Sequence, residues 1–365
     1  MGSAGIVNHS VCTSEQTAFG DRLICDYIDF FVSMKERSGA IERSTVRDYH
    51  AVARLIVRYI GTCTVSDMEV MAVSDWMASM VRDGYAPKTC SKAFRLLSQA
   101  LKFAVGQGAI DKNPCDFCKP PKQIRSRFVA LDRAERSRML HLARQDESPL
   151  GFAIEIALTT GMRRGEVCAL KWSDFSSRGT LTVRRALGNA EGGFYIKEPK
   201  SLSGIRTIPL ASDTNEALGR LKGAFLEANR SEGGASADGY IVGAGESGDQ
   251  PYNPDRLGRD FAQFCRDNGF ECTFRDLRHT FATFMVGAGV DVRTVASLLG
   301  HANVAMTLNI YAEADPEAKR RAAGAIERAF DDAAWQRKAL TALASEAEPK
   351  VDGAGPCLRT GFSVS

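Results

Sequence analysis

A chain of 365 residues, 44% hydrophobic and 25% charged, has enough apolar material for two packed domains and is not a low-complexity or disordered polymer. Its 47 lysines and arginines against 44 acidic residues leave a net charge of +3, which neither requires nor excludes a nucleic-acid partner, because a local basic face decides that. No apolar run reaches membrane-span length, and the first residues lack the basic-then-apolar pattern of a secretory signal, so a cytoplasmic protein with no membrane partner is expected.

Residues 1–16 are small and polar and are expected to be disordered. Residues 17–112 read as helices only. One helix is expected over 19–35. A second opens at Ser44, taken as its N-cap, and stops at Gly61, with Val52, Leu55, Ile56 and Tyr59 at helical spacing. A third spans 73–83. The fourth starts at Pro87, with Phe94, Leu97, Ala100, Leu101 and Ala104 as its buried stripe and Lys88, Lys92 and Arg95 off that stripe. Asn113-Pro114 and the run Lys119-Pro120-Pro121-Lys122 break the periodicity, so 113–127 reads as a linker. The ten cysteines are scattered, and the one CxxC pair, Cys115 and Cys118, lacks a second pair at zinc spacing, so reduced thiols are expected and no metal site.

The second domain is expected over 128–344, followed by a flexible tail at 345–365. It opens with helices at 133–144 and 150–160 and passes through β-like runs at 181–186, 194–197 and 206–210. It then returns to helix, giving a mainly α chain with a small β-sheet, an α+β second domain. Four segments in it carry chemistry. In TTGMRRGEVCALKWSDF, Gly161 ends a helix, Arg163 begins the next, and Glu166 follows three residues on, on the same face. In KEPKSLSGIRTIPL, a turn over 201–204 would place Lys200 at the tip of a hairpin. In FRDLRHTFATFMVGAGVDVRTVASLLGH, Arg275 and Arg278 share a face beside His279. Further on, Asp291 caps a helix that Gly300 ends, and His301 follows. Tyr311 comes ten residues later.

Each feature alone has an ordinary structural explanation, as a solvated charge, a cap or a core tyrosine. Together they suit phosphodiester chemistry. Two guanidiniums can neutralise the non-bridging oxygens of a phosphate, a lysine can protonate a departing oxygen, and a tyrosine can attack phosphorus. No acidic pair for Mg²⁺ and no GxxxxGK[ST] loop stands out, so no cofactor and no ATP are implied.

These segments, in this order, resemble the tyrosine recombinase (phage integrase) family over about residues 17–335. The resemblance implies a helical core-binding domain over 17–112 and a catalytic domain over 128–344. Arg163 and Arg278 would clamp the phosphate, Lys200 would be the general acid, His301 the second histidine and Tyr311 the nucleophile, with Glu166 and Asp174 in support. The implied partners are double-stranded DNA target sites, further copies of the chain assembled as a tetramer through the C-terminal helix, and an accessory directionality factor. Arg47, Lys88, Lys92 and Arg95 are candidate DNA contacts in the first domain. One position departs from the family. Arg275 stands three residues before the second arginine, where a histidine is usual, and it can hold phosphate but cannot act as a base. The residues alone leave two other readings open: a type IB topoisomerase, or a DNA-binding relative that has lost catalysis.

Overall fold

The computed structural model describes residues 19–123, 129–190, 192–199, 204–231, 238–244, 248–301 and 303–308. Chain contacts divide after Ala314, and every described residue belongs to the unit Met1–Ala314. The sequence expectations for 1–16, 345–365, Lys200 and Tyr311 therefore fall outside the described residues.

The first four long helices are α1 (Ile24–Arg37), α2 (Arg43–Ile60), α3 (Val70–Arg82) and α4 (Pro87–Gly106). They enclose a core built from Ile24, Tyr27, Ile28, Phe31, Ile56, Trp76, Met80, Leu97 and Leu101. Pro87 at the first helical position of α4 has its ring where no N–H is needed. The stripe read from the sequence on α4 is buried throughout. Ser44 does not cap α2. The cap position is Glu42, and the Ser44 hydroxyl instead reaches the Glu42 carboxylate at 3.5 Å within the first turn. The bundle's packing runs past residue 112. The Asn113 side chain donates to Ser98 O at 3.1 Å and accepts from Cys115 N, and the 3₁₀ turn Pro114–Phe117 buries Cys115 in the same core.

A second core, separate from the first, gathers residues from Leu131 to Leu277. Its helices are α5 (Arg133–Gln145), α6 (Pro149–Thr160), the short α7 (Arg164–Val167), α8 (Ser212–Ser231), α9 (Pro254–Asn268), α10 (Phe274–Gly287) and α11 (Val292–Leu299). Asp132 and Glu135 form a reciprocal capping box at the start of α5. The strands are β1 (Phe175–Ser176), β2 (Thr180–Val183), β3 (Ala186–Ala190), β4 (Gly193–Lys197), β5 (Arg206–Pro209), β6 (Gly243–Ala244) and β7 (Gln250–Pro251). All pairings are antiparallel, in the orders β1-β2-β5, β3-β4 and β6-β7.

This pairing corrects the expected hairpin around Lys200. The strands that flank it, β4 and β5, do not pair with each other. β4 turns back on β3, in the register Ala186 to Lys197, while β5 pairs with β2, Leu181 opposite Ile208 and Val183 opposite Arg206. The reason lies in side-chain alternation. β2 buries Leu181 and Val183 and β5 buries Arg206 and Ile208, so these two strands share a core face. The β3–β4 ribbon instead lies beside α2, where Lys197 Nζ is 3.4 Å from Glu42 Oε2 and the Arg43 guanidinium is 5.8 Å from the Tyr195 ring centroid. No helix among the described residues is long and apolar enough to cross a membrane.

Candidate active site

The site is assembled around one helix end. Asp291 accepts from Thr294 N at 2.9 Å and starts α11, and Gly300 closes it in the left-handed conformation, φ 64°. The last carbonyls of such a helix carry partial negative charge and lack intrahelical donors. Here three guanidiniums supply them in succession. Arg206 Nε donates to Leu298 O at 2.6 Å, Arg278 Nη2 to Leu299 O at 2.6 Å, and Arg163 Nη2 to Gly300 O at 3.4 Å. His301 follows immediately, its Nδ1 2.8 Å from Thr307 Oγ1.

Arg163 reaches this point from the start of α7, directly after the turn that ends α6. Gly161 forms that turn with φ 67°, and its carbonyl oxygen accepts from Arg278 Nη1 at 2.9 Å. Glu166, buried, takes Arg163 Nη1 at 2.7 Å and the Arg163 backbone N–H at 2.9 Å, so the expected Arg163–Glu166 pair is present. Arg278 comes from the first turn of α10, where Asp276 accepts from Thr273 N at 2.8 Å. Arg278 is buried, whereas Arg163 and the exposed Arg275 face a cleft of 830 Å³. Arg163, Arg275, Arg278, His279 and His301 all line it, together with Met162 and Phe274. Arg275 makes no hydrogen bond or ion pair with the described residues.

The electrostatics follow from burial among like charges. Burial, then the charge of Arg163, lowers the Arg278 guanidinium to about 9, so it stays cationic at neutral pH. Burial, then Arg278, Arg163 and Arg206, holds His301 at about 4. Burial, then Arg275, does the same to His279. Both imidazoles are therefore neutral at physiological pH, and His301 is a hydrogen-bonding group in the free protein, not a cation. Burial pushes the Glu166 carboxyl up, but Arg206 and Arg163 together outweigh it and leave it below the usual range.

Asp174 stands elsewhere. It is buried in the turn Trp172–Asp174, where it accepts from Arg185 at 2.8 Å and Lys171 N at 3.0 Å, and so braces the β2–β3 connection without lining the cleft. Lys88, Lys92 and Arg95 are exposed on α4, Lys92 3.9 Å from Asp48. Arg47 on α2 pairs with Asp48 and with Asp255, both at 3.8 Å. Arg206 was not singled out by the sequence reading. The signal for it was the alternation of β5, which puts a charged residue on the strand's buried face beside Ile208. No cluster of three or more His, Cys, Asp or Glu able to hold a metal occurs among the described residues.

The helical bundle followed by an α+β unit with arginines gathered at a helix end is the architecture of tyrosine recombinase catalytic proteins. It superposes on the Tn1549 transposon integrase in complex with a circular intermediate DNA with a TM-score of 0.68 at 25% identity, covering 84% of this chain and 99% of that one. The lambda integrase tetramer bound to a Holliday junction shares the fold, with a TM-score of 0.62 at 20% identity, over 82% and 83% of the two chains. In sequence, the chain is similar to the transposase from transposon Tn916 of Enterococcus faecalis, 27% identical over 277 residues, which are 70% of this chain and 65% of that protein. It is also similar to the ICEBs1 integrase of Bacillus subtilis, 25% identical over 70% of this chain and 69% of that one. Residues 130–318 match the Phage integrase family model, and the chain belongs to that family.

Proposed function

We propose that this protein is a site-specific DNA recombinase that cleaves and rejoins DNA through a 3′-phosphotyrosyl intermediate and so integrates and excises a mobile element. The observation that carries the reading is the convergence of Arg163, Arg278 and His301 on one cleft at the end of α11. Relatives named as a transposon transposase and an ICEBs1 integrase, and a similar integrase held on circular intermediate DNA, support the mobile-element assignment.

In this reading Arg163 and Arg278 hold the non-bridging oxygens of the scissile phosphate, with Arg275 as a third cation. The Tyr311 oxygen attacks phosphorus, the bond to the 5′ oxygen breaks, and Lys200 delivers the proton that oxygen needs. A neutral His301 supplies a hydrogen bond to the crowded phosphate. The 5′ hydroxyl of a partner strand then attacks the phosphotyrosine and releases Tyr311. One phosphoester bond replaces another at each step, so no ATP is consumed. Residues 17–112 and 128–344, joined by 113–127, act as two domains on opposite faces of the duplex, with Arg47, Lys88, Lys92 and Arg95 on the first domain's phosphate contacts. Asp174 supports the catalytic domain's frame. Four copies assemble on two sites through a helix over 317–343, and an accessory factor sets direction.

A nicked suicide half-site taken from the DNA flanking the encoding gene tests the reading. The wild type should become covalently trapped on it. Tyr311→Phe should bind the same DNA and give no SDS-resistant adduct. An adduct formed by Tyr311→Phe would place the nucleophile elsewhere, and no adduct from the wild type would reject cleavage.

A further inference from the structure

Glu166 divides its two oxygens unequally between two arginines. Oε1 accepts from Arg163 Nη1 at 2.7 Å and from Arg206 Nη1 at 3.3 Å; Oε2 accepts from Arg206 Nη2 at 2.7 Å and from the Arg163 backbone N–H at 2.9 Å. Arg206 thus grips the carboxylate with both prongs of its fork, while the Arg163 side chain touches it with one nitrogen. The Arg163 side chain is 45% exposed, against 5% for Arg206 and 7% for Glu166. The other donors of Arg206 are also taken inside the protein, Nε by Leu298 O at 2.6 Å and Nη1 additionally by Gly204 O at 3.3 Å. Arg206 does not line the cleft and does not reach substrate.

We propose that Arg206 is a positioning residue for DNA cleavage, neutralising Glu166 so that the charge of Arg163 stays available to the scissile phosphate, and tying the end of α11 that carries His301 to strand β5. This rests on the recombinase reading above. A buried carboxylate demands a cation. Arg278 cannot be reassigned to that duty, because its two terminal nitrogens are committed to Gly161 O and Leu299 O. Without Arg206, Arg163 is the nearby guanidinium with freedom to move, and it would close on both Glu166 oxygens. The cleft would then lose both a phosphate ligand and one unit of positive charge. The same loss would free Leu298 O and loosen the turn ahead of His301. A lysine at 206 would supply charge but could not span Glu166 and Leu298 O together, because an ammonium lacks the planar fork.

The suicide half-site is cut in single turnover by the wild type, Arg206→Ala, Arg206→Lys and the double variant Arg206→Ala/Glu166→Gln, with the melting temperature of each recorded. Arg206→Ala is expected to slow cleavage at saturating DNA by about 10²-fold, the scale of losing one transition-state donor, while half-saturation moves by less than about threefold. Adding Glu166→Gln should restore about tenfold, because it removes the charge that captures Arg163. A residue needed only for packing would not be rescued by a second core substitution. Cleavage by Arg206→Ala within about twofold of wild type overturns the assignment. So does a double variant no faster than Arg206→Ala. Should Arg206→Ala fail to fold, Arg206→Lys takes its place, slower than wild type and rescued by the same Glu166→Gln change; absence of rescue there also overturns it. If the wild type forms no adduct, the recombinase reading alone has failed, and inorganic phosphate titration decides the role of Arg206. The phosphate-dependent rise in melting temperature that Arg163→Gln abolishes should vanish in Arg206→Ala and return in the double variant; an unchanged rise in Arg206→Ala overturns the assignment.

Discussion

The guanidinium of Arg278 donates to the carbonyl oxygen of Gly161 at 2.9 Å across 117 residues of chain. The phosphate-binding cation is therefore anchored on the turn that launches Arg163, and any distortion of this turn moves both arginines together. Gly161 sits at φ 67°, and a Cβ there would meet Phe281 Cδ1 at 2.5 Å and Leu299 Cδ2 at 2.7 Å. Gly161→Ala combines the cost of a left-handed alanine with overpacking, on the order of 2–4 kcal/mol. Urea unfolding should show that loss, and cleavage by the folded fraction should fall as well. An unchanged unfolding midpoint would remove this turn from the stability of the site.

Arg275 takes the place of the histidine usual at that position in the family. It is exposed, lines the cleft, and its charge lowers both Arg278 and His279. Arg275→Ala is expected to slow single-turnover cleavage by on the order of 10²-fold through lost charge stabilisation. Arg275→His should retain substantial activity. Wild-type rates for the alanine variant would return Arg275 to the status of a solvated helix residue.

The two buried imidazoles make a pH prediction with a definite sign. His279 and His301 lie at about 4 in the folded protein, below the ordinary 6.5. A depressed histidine favours the folded state while it is neutral, so the contribution is complete above pH 6.5 and is lost as pH falls from 6.5 towards 4. Between pH 6.5 and about 4.5 most carboxylates remain ionised, so this window reports the histidines. Each contributes a slope of up to about 1.4 kcal/mol per pH unit. Urea unfolding at several pH values should show stability falling across the window, and His301→Gln should flatten the fall. A pH-independent wild type would contradict the neutral burial of these rings.

Lys88, Lys92 and Arg95 follow i, i+4, i+7 spacing and stay exposed on one face of α4. If that face tracks phosphates, each alanine substitution should weaken DNA binding evenly across sequences. Each should also reduce the slope of log K against log salt by about 1. Affinity measured between 50 and 200 mM salt, a range of roughly tenfold-sensitive screening, checks this. A triple variant with the wild-type slope would move the first-domain interface elsewhere.

Local pattern settled much of this protein. Helical period and caps are short-range physics, so α1 to α6 were legible to within a few residues, as were the roles of Gly161, Asp291 and Gly300 as helix stops and starts. The functional arginines and histidines were legible too, because their types and order are specific even when their contacts are not. Strand pairing was not. The sequence around Lys200 suited a local hairpin, but β5 carries its buried alternation to β2 and leaves β4 with β3, a choice made by which core face each strand covers. Nor could Arg206 be told from any strand arginine, since its meaning lies in Glu166, 40 residues earlier, and Leu298, 92 residues later. Arg163, Arg206 and Arg278 meet at the last carbonyls of α11 because a helix end needs donors that its own backbone cannot supply. Only the folded chain brings those donors within reach.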